Sequence, residues 1–377
     1  MNSIPPFDLT EQYKLIGEEV GAAVLEVLAS GRYIGGSPVE QFEQQFAQYV
    51  GASQGIACNS GTDALYLALR SLNIGAGDEV ITTPFTFVAT AETISAVGAT
   101  PVFVDIDAAT FNLDLDQVEA AITDRTKAII PVHLFGQPVD MTRLMEIAQK
   151  HQIPVIEDCA QSTGAEWQGS KVGGIGQIGC FSFFPTKNLG ACGDGGAVIT
   201  NDEAIAAKVR MIRDHGQYQK YRYEEVGVNS RLDAVQAVIL QIKLRHLDQW
   251  NTQRQTIADR YAQLLRPLPG IVLPQSMAGG KSVWNQYTIR VLSEGKPGNE
   301  RDRVKQRLQE QGVSSMIYYP LPLHLQPVYA SLGYQPGQLP VSEQMAQEVL
   351  SLPMFPELSP MQQDQIVYAL KDSLAVG

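Results

Sequence analysis

Short, almost uninterrupted apolar runs recur through the first half of the chain, at 80–82, 102–105, 128–132, 155–157, 180–184 and 197–200. Runs of this kind suit strands buried on both faces. Stretches with helical spacing lie between several of them, notably 89–97 and 141–151. The alternation predicts an α/β fold with a mainly parallel sheet covered by helices. Ligands on such sheets sit at the carboxyl ends of the strands, so residues just after each run carry the most interest. A helix is predicted over 37–51. Ser37 is the expected cap, Pro38 suits the first turn and Glu40 completes a capping box. Val39, Phe42, Phe46 and Val50 share one face, and Gly51 suits the stop. A second helix follows Asn59-Ser60-Gly61-Thr62. Another is expected over 201–215, capped by Asn201 and stopped by Gly216. A long helical stretch with breaks covers 232–265.

Beyond Pro267 prolines become more frequent and the pattern turns to mixed α+β. With 377 residues, two domains are expected: a large one over 1–250 and a small C-terminal one over 251–377. Hydrophobic residues make up 44% and charged residues 18%, which excludes a disordered chain. The net charge of −12 repels phosphate backbones, so neither nucleic acid nor an anionic membrane is an expected partner. The cysteines at 58, 159, 180 and 192 form no C-x-x-C pair and do not cluster with histidine. No metal site is therefore expected, and the thiols read as reduced in a cytoplasmic protein. No run of about 18 apolar residues offers a membrane span.

The segment F-S-F-F-P-T-K-N-L-G-A-C-G-D-G-G-A-V, residues 181–198, holds a single lysine between two apolar runs, with glycines close behind it. Lys187 reads either as a solvated loop lysine or as a Schiff-base lysine. Partial burial would lower its proton affinity and free the amine as a nucleophile. A Schiff-base cofactor such as pyridoxal phosphate needs a carboxylate to keep its ring nitrogen protonated. Asp158 ends the run P-V-I-E-D and fits that role or that of a helix cap, while Glu157 faces the other way by strand alternation. The cofactor's phosphate needs a helix N-terminus. Asn59-Ser60-Gly61-Thr62 supplies one, or an ordinary cap, and Ser182 can add a hydroxyl. Residues 174–179 match G-x-G-x-x-G, but they lead into a strand, not a helix, which argues against dinucleotide binding.

Taken together these segments resemble the nucleotide-sugar aminotransferases of the DegT/DnrJ/EryC1/StrS family. The likeness rests on I-G-G-S-P-V-E-Q-F-E, N-S-G-T-D-A-L, G-D-E-V-I-T-T-P-F-T-F-V-A-T, I-E-D-C-A-Q-S, the lysine loop, H-G-Q, G-V-N-S-R-L-D, Y-Y-P-L-P-L-H-L-Q-P-V-Y and L-P-M-F-P. The resemblance implies an aspartate-aminotransferase-like fold: a large domain with a mixed seven-stranded sheet, a small C-terminal domain, and a homodimer with shared active sites. It implies pyridoxal 5'-phosphate linked to Lys187, with Asp158 on the ring nitrogen. Gln161 is implied beside the ring hydroxyl and Phe87 stacked on the ring. Gly61, Thr62 and Ser182 are implied on the phosphate, joined by Asn229 of the second subunit. Arg231, Tyr319 and His324 match positions near the sugar-nucleotide in some members. The implied reaction moves an amino group from glutamate to a nucleotide-linked keto-sugar. The 3-keto class is favoured, including UDP-linked 2-acetamido-3-keto-uronic acids, over 4-keto sugars. Lys187 argues against the dehydratase branch that carries histidine there. A regulatory protein that keeps the fold without turnover is the non-enzymatic alternative.

Overall fold

The computed structural model describes residues 3–293 and 298–375. Its centre is a four-stranded sheet in the order Gln54–Cys58, Gly196–Thr200, Ile178–Ser182, Ile156–Asp158. The last two pair parallel, and the other neighbours pair antiparallel. A parallel three-stranded sheet lies alongside, in the order Thr100–Phe103, Glu79–Thr82, Thr126–Ile129. Two parallel bridges, Ile129 to Val155 and Val132 to Asp158, join the pieces edge to edge. All six expected apolar runs overlap these strands. The seventh strand, Gln54–Cys58, did not emerge from the pattern because Gln54 and Gly55 dilute its apolar run.

Strand alternation divides the core between two faces. Cys180, Val198 and Ile56 pack under the helices Gly61–Ser71 and Glu203–Arg213. Phe181, Phe183 and Ile199 pack under the helix Ser37–Val50. Phe46 sits edge-on to Phe181 at 5.0 Å and to Phe183 at 5.1 Å, fully buried. Truncating such a ring costs about 3–5 kcal/mol.

Two expected caps differ. The cap of the helix Ser37–Val50 is Gly36 at φ 74°, so Ser37 is already helical. Its hydroxyl accepts from Gln41 Nε2 at 2.8 Å, and the capping box with Glu40 does not form. The helix expected from Asn201 starts at Glu203, capped by the Asp202 carboxylate on the amides of Ala204 and Ile205. Asn201 accepts instead from the Ser53 amide. The helix Thr10–Ser30 was not anticipated: it buries only Gln12, Ile16, Val20 and Val27, too sparse a stripe to stand out.

The stretch 232–265 is two helices, Ala234–Leu244 and Leu247–Leu265. The second runs straight through position 250. Leu247 belongs to the core around Phe46, whereas Ile257, Ala258, Tyr261 and Leu265 belong to a separate core. That second core also holds the antiparallel strands Tyr287–Val291 and Val349–Leu352 and the helices Asn299–Glu310 and Pro360–Leu374. Ser359 and Gln362 form a capping box at the last of these. Ile4, bridged to Val313, joins this core from the start of the chain. No helix among the described residues is long and apolar enough to cross a membrane.

Candidate active site

Asp158 is the last residue of its strand; its amide donates to the Pro131 carbonyl and its carbonyl accepts from the His133 amide. Its carboxylate accepts from the Ala160 amide at 3.1 Å and from Thr90 Oγ1 at 2.8 Å. Thr90 in turn lies 3.1 Å from Thr86 Oγ1. Burial pushes the Asp158 carboxyl above the usual range, against these two donors and the charge of Lys187. Lys187 stands in the loop after the neighbouring strand Ile178–Ser182, where its amide closes a turn onto the Phe184 carbonyl. Burial lowers its amine to about 8, while Asp158 pulls it back up. The two groups therefore share one poorly solvated space at the carboxyl ends of the strands.

Gln161 and Tyr319 close one side of this space. Gln161 Oε1 accepts from the Phe135 amide at 2.7 Å, and its Nε2 donates to Tyr319 Oη at 3.1 Å. Burial raises the phenol's pKa, so Tyr319 keeps its proton as a donor. Phe87 is 55% exposed, with its ring 6.4 Å from that of Tyr319. An aromatic face left open beside two polar side chains suits a flat ring.

Gly61 opens the helix Gly61–Ser71, capped by Ser60 on the Asp63 amide. A Cβ at Gly61 would lie 2.6 Å from Ser182 Cβ. Glycine therefore brings the helix N-terminus, with Thr62 next in line, against the end of the strand that carries Ser182. Free amides of a helix N-terminus beside a hydroxyl form an anion cradle. The three expected phosphate residues of this chain are thus neighbours. Asn229 is exposed, while Ser230 Oγ donates to Asn59 Oδ1 at 3.1 Å, which brings this segment beside the same loop.

Two expected substrate residues are already engaged. Arg231 pairs with Asp214 at 2.8 Å. His324 is buried, its Nε2 3.1 Å from Glu343 Oε1. The backbone of Leu323 anchors that segment on the Pro84 carbonyl, beside the turn that carries Phe87.

The glycine-rich run 174–179 serves its own chain. The amides of Gly173, Ile175 and Gly176 donate to the Glu157 carboxylate at 2.7, 2.9 and 2.6 Å. A Cβ at Gly176 would meet the Val155 carbonyl at 2.8 Å. Glu157 faces away from Asp158, as alternation requires. His133 completes its shell: Nδ1 accepts from the Val139 amide, so Nε2 donates to Glu157 at 3.0 Å. His133, Glu157 and Cys159 bring ligand-type atoms within 4.8 Å of one another. Glu157 and His133 are already committed to these hydrogen bonds. Of the cysteines, 58, 159 and 180 are buried and 192 is exposed.

The residues gathered here offer an amine at Lys187, a carboxylate at Asp158, an exposed ring at Phe87 and a helix N-terminus at Gly61. The family model for DegT/DnrJ/EryC1/StrS aminotransferases matches residues 14–371. The chain belongs to this family. Aminotransferases of the DegT family depend on pyridoxal phosphate. One relative, named a pleiotropic regulatory protein, from Geobacillus stearothermophilus, is 51% identical over 97% of both chains. Another, a UDP-N-acetyl-3-dehydro-alpha-D-glucosamine 3-aminotransferase from Acidithiobacillus ferrooxidans, is 46% identical over 99% of this chain and 98% of its own. Among solved structures, S. venezuelae DesV superposes with a TM-score of 0.96 at 42% identity, covering the whole of both chains. Thr90, Thr86 and the Glu157 shell were not anticipated. Threonines in T-P-F-T-F-V-A-T look like ordinary strand and helix residues until the fold sets one against Asp158.

Proposed function

We propose that this chain is a pyridoxal-phosphate-dependent aminotransferase that moves an amino group from glutamate to a nucleotide-linked keto-sugar, with the 3-keto class favoured. The observation that carries the reading is the placement of a half-buried Lys187 amine and the buried Asp158 carboxylate together at the strand ends, each close enough to shift the other's proton affinity. Bound there, pyridoxal phosphate supplies the carbonyl carbon that links to an amine and the ring that takes up the electron pair left when a proton departs. Lys187 Nζ would take that proton from the substrate carbon and give it back on the cofactor side. Asp158 holds a proton on the ring nitrogen through Oδ1 or Oδ2. Gln161 fixes the ring hydroxyl, Phe87 covers one face, and Gly61, Thr62 and Ser182 hold the phosphate. Arg231, Tyr319 and His324 are assigned to the sugar-nucleotide side.

The 3-keto preference draws support from the named relative of Acidithiobacillus ferrooxidans. The regulatory name of the Geobacillus relative keeps a non-enzymatic reading in view. The complete set Lys187, Asp158 and Gln161 speaks for turnover. We further assign a large unit over 1–250, whose two edge-joined sheets act as one seven-stranded layer, and a small unit over 251–377. The working form is a cytoplasmic homodimer in which Asn229 serves the opposite subunit's phosphate site. One spectrum tests the central claim. Protein purified with pyridoxal phosphate should be yellow and bleach on addition of glutamate. It should then aminate a UDP- or dTDP-linked 3-keto sugar in preference to its 4-keto isomer. Failure to bleach would overturn the aminotransferase reading. Equal rates on both isomers would remove the 3-keto preference.

A further inference from the structure

Three asparagines meet beneath the lysine loop. Asn188 follows Lys187 directly and is only 4% exposed. Its Nδ2 donates to Asn251 Oδ1 at 2.7 Å and to the Val283 carbonyl at 2.9 Å, and its Oδ1 accepts from Asn285 Nδ2 at 2.8 Å. Asn251, in the first turns of the helix Leu247–Leu265, donates onward to the Thr163 carbonyl at 3.1 Å. Asn285 lies two residues before the strand Tyr287–Val291. Its Oδ1 is buried without a hydrogen-bond partner among the described residues.

Buried amides are an expensive way to fill space. Each must recover the hydrogen bonds it loses to water, and an unpaired oxygen such as that of Asn285 adds a desolvation cost. Leucines would pack here at lower cost. What amides add is direction: an Asn side chain with both ends bonded has one orientation, and its Cα is fixed with it. The residue so fixed is the neighbour of the reactive lysine. Downstream, the Gly190 carbonyl accepts from the buried Lys243 Nζ at 2.6 Å, and Leu189 is fully buried. The loop after Lys187 is therefore held at successive residues, while the lysine side chain itself has four rotatable bonds.

We propose that the Asn188–Asn251–Asn285 amide triad is a positioning device that holds the Lys187 amine at its depth beside Asp158. The inference deepens the functional reading above, because Lys187 is the residue that reading relies on. Asn188 touches no substrate in this scheme and acts through the backbone it fixes. Losing the triad lets the loop rise, and the amine then gains water and recovers its ordinary proton affinity.

The test reads the amine directly, in full-length protein stripped of cofactor. Carbamylation of Lys187 by cyanate is followed by peptide mass spectrometry across pH. The wild-type midpoint should lie near 8. Asn188→Ala and Asn285→Leu should each raise it by about one unit, slowing modification at pH 7 about tenfold. The double variant should show little more than either single one, because both cut the same chain of bonds. Leu308→Ala, in the core of the distant helix Asn299–Glu310, should lower the melting temperature and leave the midpoint alone. An unchanged midpoint in a folded Asn188→Ala protein overturns the proposal and leaves the triad as packing. If that variant does not fold, Asn285→Leu decides by the same criterion. The measurement needs no turnover. A protein that titrates as expected but does not bleach with glutamate would fail the functional reading and keep this one.

Discussion

Thr90 Oγ1 donates a 2.8 Å hydrogen bond to Asp158 Oδ2, across 68 residues of sequence and from the first turn of the helix Ala89–Ala96. A hydroxyl that donates to a carboxylate favours its charged form, and here it works against the burial that favours the neutral one. The balance matters because only the charged form holds a proton on a ring nitrogen.

Thr90→Val keeps the shape and removes the donor. The Asp158 carboxyl should move further up, so the acid limb of the pH dependence of kcat/KM should shift to higher pH. Turnover at neutral pH should fall about tenfold, the scale of one hydrogen bond to a charged group. An unshifted acid limb would show that Thr90 does not tune Asp158.

Gly61→Ala places a methyl group 2.6 Å from Ser182 Cβ and 3.0 Å from its Cα. Neither atom can swing away without moving the strand end, so stability should fall by about 1–3 kcal/mol. Affinity for pyridoxal phosphate, measured by equilibrium dialysis, should fall more than tenfold, because the helix amides move off the anion. Unchanged affinity would detach Gly61 from the phosphate site.

Lys187→Met should stabilise the cofactor-free protein in a way that depends on pH. The native amine titrates at about 8 and the unfolded one at 10.5. Below 8 both states are protonated and the native state carries the cost of a buried charge. Between 8 and 10.5 the unfolded state binds more protons, so wild-type stability rises with pH. The Met variant has no such term. It should be more stable at pH 7 by about 1–3 kcal/mol, with the gap closing toward pH 10. Urea denaturation at several pH values measures it. A constant gap would mean that burial does not lower the amine.

Glu157→Gln should cost about 2–4 kcal/mol without touching the site's charge pattern. The carboxylate accepts from three backbone amides and His133, and a carboxamide offers one oxygen and two unwanted protons. Chemical denaturation reads the loss. A change under about 0.5 kcal/mol would contradict the shell as described.

Much of this arrangement was legible in the chain. Buried strands need continuous apolar runs, and Lys187 and Asp158 stood out because charged residues rarely follow such runs. The order of elements also located the strand ends, where Lys187 and Asp158 come together. Caps were less legible. Gly36 displaced Ser37, and Asp202 displaced Asn201, because neighbouring polar residues compete for the same amides and only tertiary contacts decide. The occupied state of Arg231 and His324 was also hidden, since Asp214 and Glu343 meet them only after folding. Glu157 shows the same limit: alternation gave its direction, but not the glycine-rich loop wrapped around it.

The helix Leu247–Leu265 has its two ends rooted in different cores, and Asn251 near its start grips the residue beside Lys187. Such a helix behaves as an axle. Any swing of the C-terminal strands has to turn it or bend it, because no flexible joint lies between the two anchorages. A turn of the axle is felt at Asn251 within one helical pitch. A displacement of the C-terminal core would thus be mechanically geared to the lysine loop, even though the two lie in separate cores.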